Sequence, residues 1–332
     1  MTLHDLANYM ENLGVPVTRA TLSNYENGHV EPSPAMLKKL AMALGTTTDF
    51  LLSEPCAPLQ LHFFKQLDVS ASEKREIEAY VTDYLEKRLT VDRLLEIKTG
   101  WKKPAQVSFG PANTLEVCRY AEEVRRSWGL SQYPVSSVCH VLEAQGWDLF
   151  EFSSGFKMSG ISGYDENSSI PFLYYTIIAN VVHLRMRILQ EVSYAYCQAE
   201  KNCDPEAIAE TFASTILFTK EQALYEFGAH RTSISAEELT QVKLKYGLPK
   251  PQIMKRLQQL GIISMDLLQI YISHIRQRGY PSVRDAMTDP LLFYENPTSY
   301  RQKVHKAYSE GLLSNTDLNN YQMAVGVYNF DK

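Results

Sequence analysis

The sequence predicts a mainly α protein with a small β element, and three observations carry that prediction. Apolar residues recur at helical spacing over most of the 332-residue chain. Ser, Thr or Asp stands ahead of several of these runs, where helices begin. Strand-like alternation is confined to Trp147-Asp-Leu-Phe-Glu-Phe152 and a shorter candidate over Ser159 to Gly163.

In chain order, residues 1 to about 54 read as helices throughout. Their apolar positions include Leu3, Leu6, Met10, Leu22, Tyr25, Leu37, Leu40 and Leu44, and Gly14, Gly28 and Gly45 punctuate them. Ser70-Ala-Ser-Glu73 is a capping-box pattern, and Ile77, Tyr80, Val81, Tyr84, Leu85, Leu94 and Leu95 predict a long amphipathic connector helix after it. A loop over Lys98 to Pro104 precedes helices near Thr114 to Trp128 and Val135 to Gln145. The stretch Ile170 to Val182 reads as a buried helix, too short to cross a bilayer. Asp204-Pro205 opens another helix, because Asp is a preferred N-cap and Pro a preferred first helical residue. From Ser235 the pattern is helical again, with a turn at Tyr246-Gly-Leu-Pro249. The domain reading is 1–54, a connector over 55–105, a mixed domain over 106–231 and a C-terminal helical module over 232–332.

Composition excludes several classes. A 45% hydrophobic, 21% charged chain is ordinary globular material, and no repeats or low-complexity segments are evident. A net charge of -5 argues against indiscriminate polyanion binding, so any DNA contact must be local. The N-terminus carries no secretory signal. Cys56, Cys118, Cys139, Cys197 and Cys203 are odd in number and lack paired spacing, which fits reduced thiols in a cytoplasm.

Thr18-Arg-Ala-Thr-Leu-Ser-Asn-Tyr-Glu-Asn-Gly28, then Glu31-Pro-Ser-Pro34 and Leu37-Lys-Lys-Leu-Ala-Met-Ala-Leu44, resembles the helix-turn-helix of phage-repressor-like (XRE, Cro/CI type) regulators. The resemblance implies a recognition helix over about Thr18 to Asn27 that enters the major groove by its N-terminal part. The DNA-binding candidates are Thr18, Arg19, Thr21, Ser23, Asn24 and Asn27, with Leu22 and Tyr25 turned inward. Arg19 is the first choice for a guanine or a phosphate. The family's first helix has no counterpart before Thr2. The segment to Glu54 holds three basic against six acidic side chains, which points to specific binding by a homodimer rather than tight binding by a monomer.

Ala121-Glu-Glu-Val-Arg-Arg-Ser-Trp-Gly129, Pro134 to Glu143, Gly146-Trp-Asp-Leu-Phe150 and Glu206-Ala-Ile-Ala209 with Phe212-Ala213 resemble the ImmA/IrrE metallopeptidase-like domain, and Leu239 to Ile263 its following helical module. The resemblance implies a zincin-like α+β domain. The family's metal helix reads Thr-Leu-Ala-His-Glu-Leu-Gly-His-Leu. Aligned on Thr176 it gives Thr-Ile-Ile-Ala-Asn-Val-Val-His-Leu, so Ala179-Asn180-Val181-Val182-His183 stands where the family has His-Glu-x-x-His. Ala179 offers no ligand and Asn180 accepts no proton; His183 and Glu206 remain as degenerate ligand positions. Loss of one ligand costs roughly 3 kcal/mol of a ~10–16 kcal/mol zinc site, and loss of the general base a further ~10²–10⁴ in rate. No metal and no cofactor are expected, with zinc only if Asp204, Cys197 or Cys203 rescues the site.

The implied function is a bacterial or phage-type cytoplasmic transcription regulator that joins a DNA-binding domain to a pseudoprotease sensing a protein or small-molecule effector. Two alternatives stand beside it: a zinc metallopeptidase that cleaves a repressor, and a pseudoenzyme adaptor without DNA binding. Lys243, Lys245, Lys250, Lys255 and Arg256 give the C-terminal module a basic face, read chiefly as solvated and otherwise as a second phosphate contact.

Overall fold

The computed structural model describes residues 2–52, 58–66, 69–98, 100–110, 114–152, 160–176, 178, 180–278 and 295–323. It is mainly α with a small mixed sheet, as the sequence predicts. The chain forms two compact units, each assembled from separate stretches: Met1–Leu59, Arg75–Lys98 and Thr298–Lys332 in the first, Gln60–Lys74 and Thr99–Pro297 in the second.

The first unit opens with α1 (Leu3–Asn12), α2 (Arg19–Glu26), α3 (Pro34–Leu44) and α4 (Thr48–Leu52). Short polar caps set these helices: Thr2 forms a capping box with Asp5, Thr18 accepts from Thr21 N, and Ser33 accepts from Met36 N. Gly45 ends α3 with φ 69°, a left-handed conformation that a side chain would strain. Leu6, Met10, Leu22 and Leu40 form the buried centre, with Leu3, Val17, Tyr25 and Leu51 against it. The unit continues with α5 (Ala71–Leu94), from Arg75 onward, and with α14 (Ser299–Ser309) and α15 (Asn315–Met323). The expected Ser70/Glu73 capping box precedes α5. The rings of Tyr84 of α5 and Tyr300 of α14 pack at a tilt with centroids 5.1 Å apart, and the Lys303 ammonium lies 3.1 Å from Asp92.

The second unit holds the sheet, ordered β1-β4-β5-β3: β1 (Leu61–Phe63), β4 (Gly160–Asp165), β5 (Pro171–Thr176) and β3 (Asp148–Phe152). β4 runs antiparallel to both neighbours, and β3 runs parallel to β5. A separate parallel pair joins β2 (Val107–Phe109) to β6 (Cys197–Ala199). The helices are α6 (Thr114–Ser127), α7 (Val138–Ala144), α8 (Val181–Tyr196), α9 (Pro205–Leu217), α10 (Lys220–Phe227), α11 (Ala236–Tyr246), α12 (Lys250–Gln259) and α13 (Met265–Arg278). α8 and α6 both pack on α9, and the shared core includes Val117, Val124, Leu142, Leu173, Ile188, Val192, Phe212, Ile216 and Leu257.

Two expectations are corrected. Ile170 to Val182 is not one helix: Pro171–Thr176 is the interior strand β5, flanked by β4 and β3, and the helix starts only at Val181. A strand buried on both faces has no polar alternation and reads like a buried helix. Arg256 is also not part of the basic face expected of the C-terminal module. Arg256 is fully buried, donating to the Phe218 carbonyl at 3.2 Å and to Cys118 Sγ at 2.6 Å. Lys245 and Lys255 are paired with Glu226 and Glu210.

Candidate nucleic-acid interface

The recognition-helix candidate α2 is positioned by its own sequence. Leu22, 3% exposed, anchors it in the core, and Tyr25 packs against the same cluster. With these two residues inward, Arg19, Asn24 and Asn27 fall on the solvent side. The six candidates then separate by what their side chains already do. Thr18 caps the helix, accepting from Thr21 N at 3.1 Å, and its hydroxyl lies 2.9 Å from that of Thr21. Asn27 donates to the Ser23 carbonyl at 2.7 Å and to its hydroxyl at 3.3 Å. Thr21 and Ser23 are half-buried, whereas Arg19, the first residue of α2, and Asn24 are exposed. Cap and tail residues therefore hold the helix, and Arg19 and Asn24 are the side chains left to reach outward. Sequence reasoning did not mark Val30 and Met42 of the same domain, apolar yet 49% and 63% exposed.

The degenerate metal positions are arranged otherwise than expected. Asn180 is the N-cap of α8, its side-chain oxygen accepting from Val182 N at 3.1 Å and His183 N at 3.2 Å. It therefore precedes the helix instead of lying within it, and Ala179 lies outside the described residues. His183 sits in the first turn and is exposed; partial desolvation first, then the positive charges of Lys243 and Arg187, lower its pKa. Glu206 is exposed in the first turn of α9, with its N–H capped by Asp204 at 2.9 Å. Cys197 is buried, which pushes its thiol up to about 12, and Cys203 is half-buried. Among the described residues no three His, Cys, Asp or Glu side chains are gathered as a metal would need.

Sequence reasoning missed the charges that α8 does bury. Arg185 pairs with Glu295 and Glu191 with Lys65, both at 2.5 Å. Burial raises the Glu191 carboxyl, and the Lys65 ammonium opposes that rise. A charged residue inside an otherwise apolar helical run is the available signal, since such a group requires a partner.

No helix among the described residues is long and apolar enough to cross a membrane. No curated protein matches the chain. Residues 1–51 match the family described as helix-turn-helix, and this part of the chain is a helix-turn-helix domain of the repressor-like (XRE) DNA-binding type.

Proposed function

We propose that this chain is a cytoplasmic transcription regulator in which the N-terminal domain reads an operator as a homodimer and the second unit is a catalytically inactive, metallopeptidase-like sensor. One observation carries the DNA-binding half. In a domain matched as helix-turn-helix, α2 is locked by its cap and core contacts while Arg19 and Asn24 stand free at its N-terminal and middle turns. Arg19 suits bidentate donation to guanine, and Asn24 suits pairing with adenine. The low basic content of the domain means that base contacts, rather than counterion release, must supply the selectivity.

The sensor half is supported by the resemblance together with the chemistry of α8. If the family pattern is instead aligned on Glu191 of α8, it spans Arg187 to Ala195, eleven residues beyond the alignment on Thr176. In that register the two histidine positions are Gln190 and Tyr194, and Glu191 alone keeps its residue type. The donor set does not fit zinc: a carboxamide and a phenol replace imidazoles, and Glu191 is already paired through Oε1 with the Lys65 ammonium. Sensing without hydrolysis is the reading this chemistry favours.

A binding selection with purified full-length chain and genomic fragments tests the proposal. Enrichment of an inverted repeat supports it, and failure to enrich any sequence removes it. Metal analysis tests the second half: stoichiometric zinc that is lost on Glu206→Ala would restore the hydrolase reading.

A further inference from the structure

We propose that α8 is a latch that grips the chain segments leading out of the sensing unit into the DNA-binding unit, a role that rests on the regulator reading above. The chain passes between the two units four times, at residues 59/60, 74/75, 98/99 and 297/298. Lys65 lies on the segment between the first two crossings, immediately after β1. Glu295 lies three residues before the last crossing. Both are held by α8, whose buried charges are Arg185, 0% exposed, and Glu191, 3% exposed.

Each grip is specific. The Arg185 guanidinium donates to Glu295 Oε1 at 2.5 Å and to the carbonyls of Val135 at 2.7 Å and Ser136 at 3.2 Å. The Glu295 carboxylate also accepts from Ser137 Oγ at 3.1 Å and from the N–H groups of Val138 and Cys139, both at 2.9 Å. Lys65 Nζ donates to Glu191 Oε1 at 2.5 Å and stands 4.9 Å from the centre of the Tyr194 ring. Arg185 and Glu191 are six residues apart, about 120° round a helix, so neither neutralises the other and each is paired with a distant residue.

Apolar side chains of the same volume would hold these segments at least as firmly, because burying charge is costly. What charge pairs add is an abrupt response. A short, charge-assisted, fixed-geometry bond is lost on a displacement of about 1–2 Å that greasy contacts would absorb by sliding. A shift of α8 on effector binding would thus free both segments together, and with them the tethers of α5 and α14.

Glu295→Gln and Lys65→Met in the full chain test the latch by hydrogen exchange and by affinity for the selected DNA fragment. Amides of α14 and of α5 from Arg75 onward are expected to exchange about tenfold faster, and affinity to fall about fivefold. Should Glu295→Gln lose its cooperative unfolding transition, Lys65→Met, whose ammonium is partly exposed, decides. Folded variants with wild-type exchange overturn the latch. Failure of the wild type to bind DNA removes the regulator reading and leaves the exchange comparison standing, so the two failures are distinguishable.

Discussion

The Thr47 hydroxyl donates to the Leu312 carbonyl at 2.8 Å, joining the turn before α4 to a residue 265 positions later in the same unit. Around it Thr46 Oγ1 donates to Asp317 Oδ2 at 3.0 Å, and Ser314 Oγ donates to the Gly45 carbonyl. Asp317 also accepts from Ser314 N at 3.0 Å, with the Ser314 hydroxyl 2.7 Å away, forming the cap of α15. Asp317→Ala leaves the part-buried Thr46 hydroxyl and Ser314 N–H without this acceptor. It is expected to cost about 1–3 kcal/mol, read as a lowered thermal midpoint of the unit carrying α1–α4. An unchanged midpoint would show that the C-terminal hairpin does not support that bundle.

Arg19→Ala is expected to weaken specific DNA binding by about 1–3 kcal/mol and to relax selectivity at one base position. Thr18→Ala should act differently, losing about 1 kcal/mol of stability through the missing cap. Binding curves at several salt concentrations separate the two. Wild-type binding by Arg19→Ala, with selectivity intact, would place the base contact elsewhere.

Gly163 sits where β4 passes between β1 and β5, and a Cβ there would run into the His62 carbonyl and reach 2.7 Å from Phe172 Cζ. Because the first of these is backbone, the sheet must part to relieve it. Gly163→Ala is expected to destabilise the second unit by about 1–3 kcal/mol or more, measured by denaturant unfolding. A neutral result would mean that β1 is not paired there.

The His183 imidazole is expected to titrate below its ordinary 6.5, through partial desolvation and the charges of Lys243 and Arg187. A lowered pKa means that the unfolded chain binds the proton more readily. This residue's contribution is therefore complete above pH 6.5 and is lost as pH falls through the window down to the folded value. Proton NMR of the histidine ring checks it, and Lys243→Met should move the midpoint upward. A midpoint above 6.5 would contradict the surroundings described.

Much of the architecture was legible in short-range signals. Ser70, Asp204 and Ser235 cap the helices they precede, and Leu22 and Tyr25 point inward as helical spacing requires. What failed was the stretch around β5, where burial on both faces erases the period-two pattern, so that Asn180, read within a helix, is instead its N-cap. The charge pairs of α8 were illegible for another reason. Their partners lie 110 and 126 residues away, and no local pattern encodes which carboxylate meets which cation. Arg256 misled similarly, since its charge suggested a wet face while its stem and guanidinium are enclosed.

Because the helix-turn-helix bundle is clasped by α14 and α15, its assembly is tied to the order in which a ribosome delivers the chain. Helices α1 to α4 emerge first, yet the residues that brace Gly45 to Thr47 follow 265 to 271 positions later. Nascent polypeptides that have not yet reached Asp317 therefore carry α1 to α4 without these hydrogen bonds, and the bundle gains its full set of contacts only after α15 has been made.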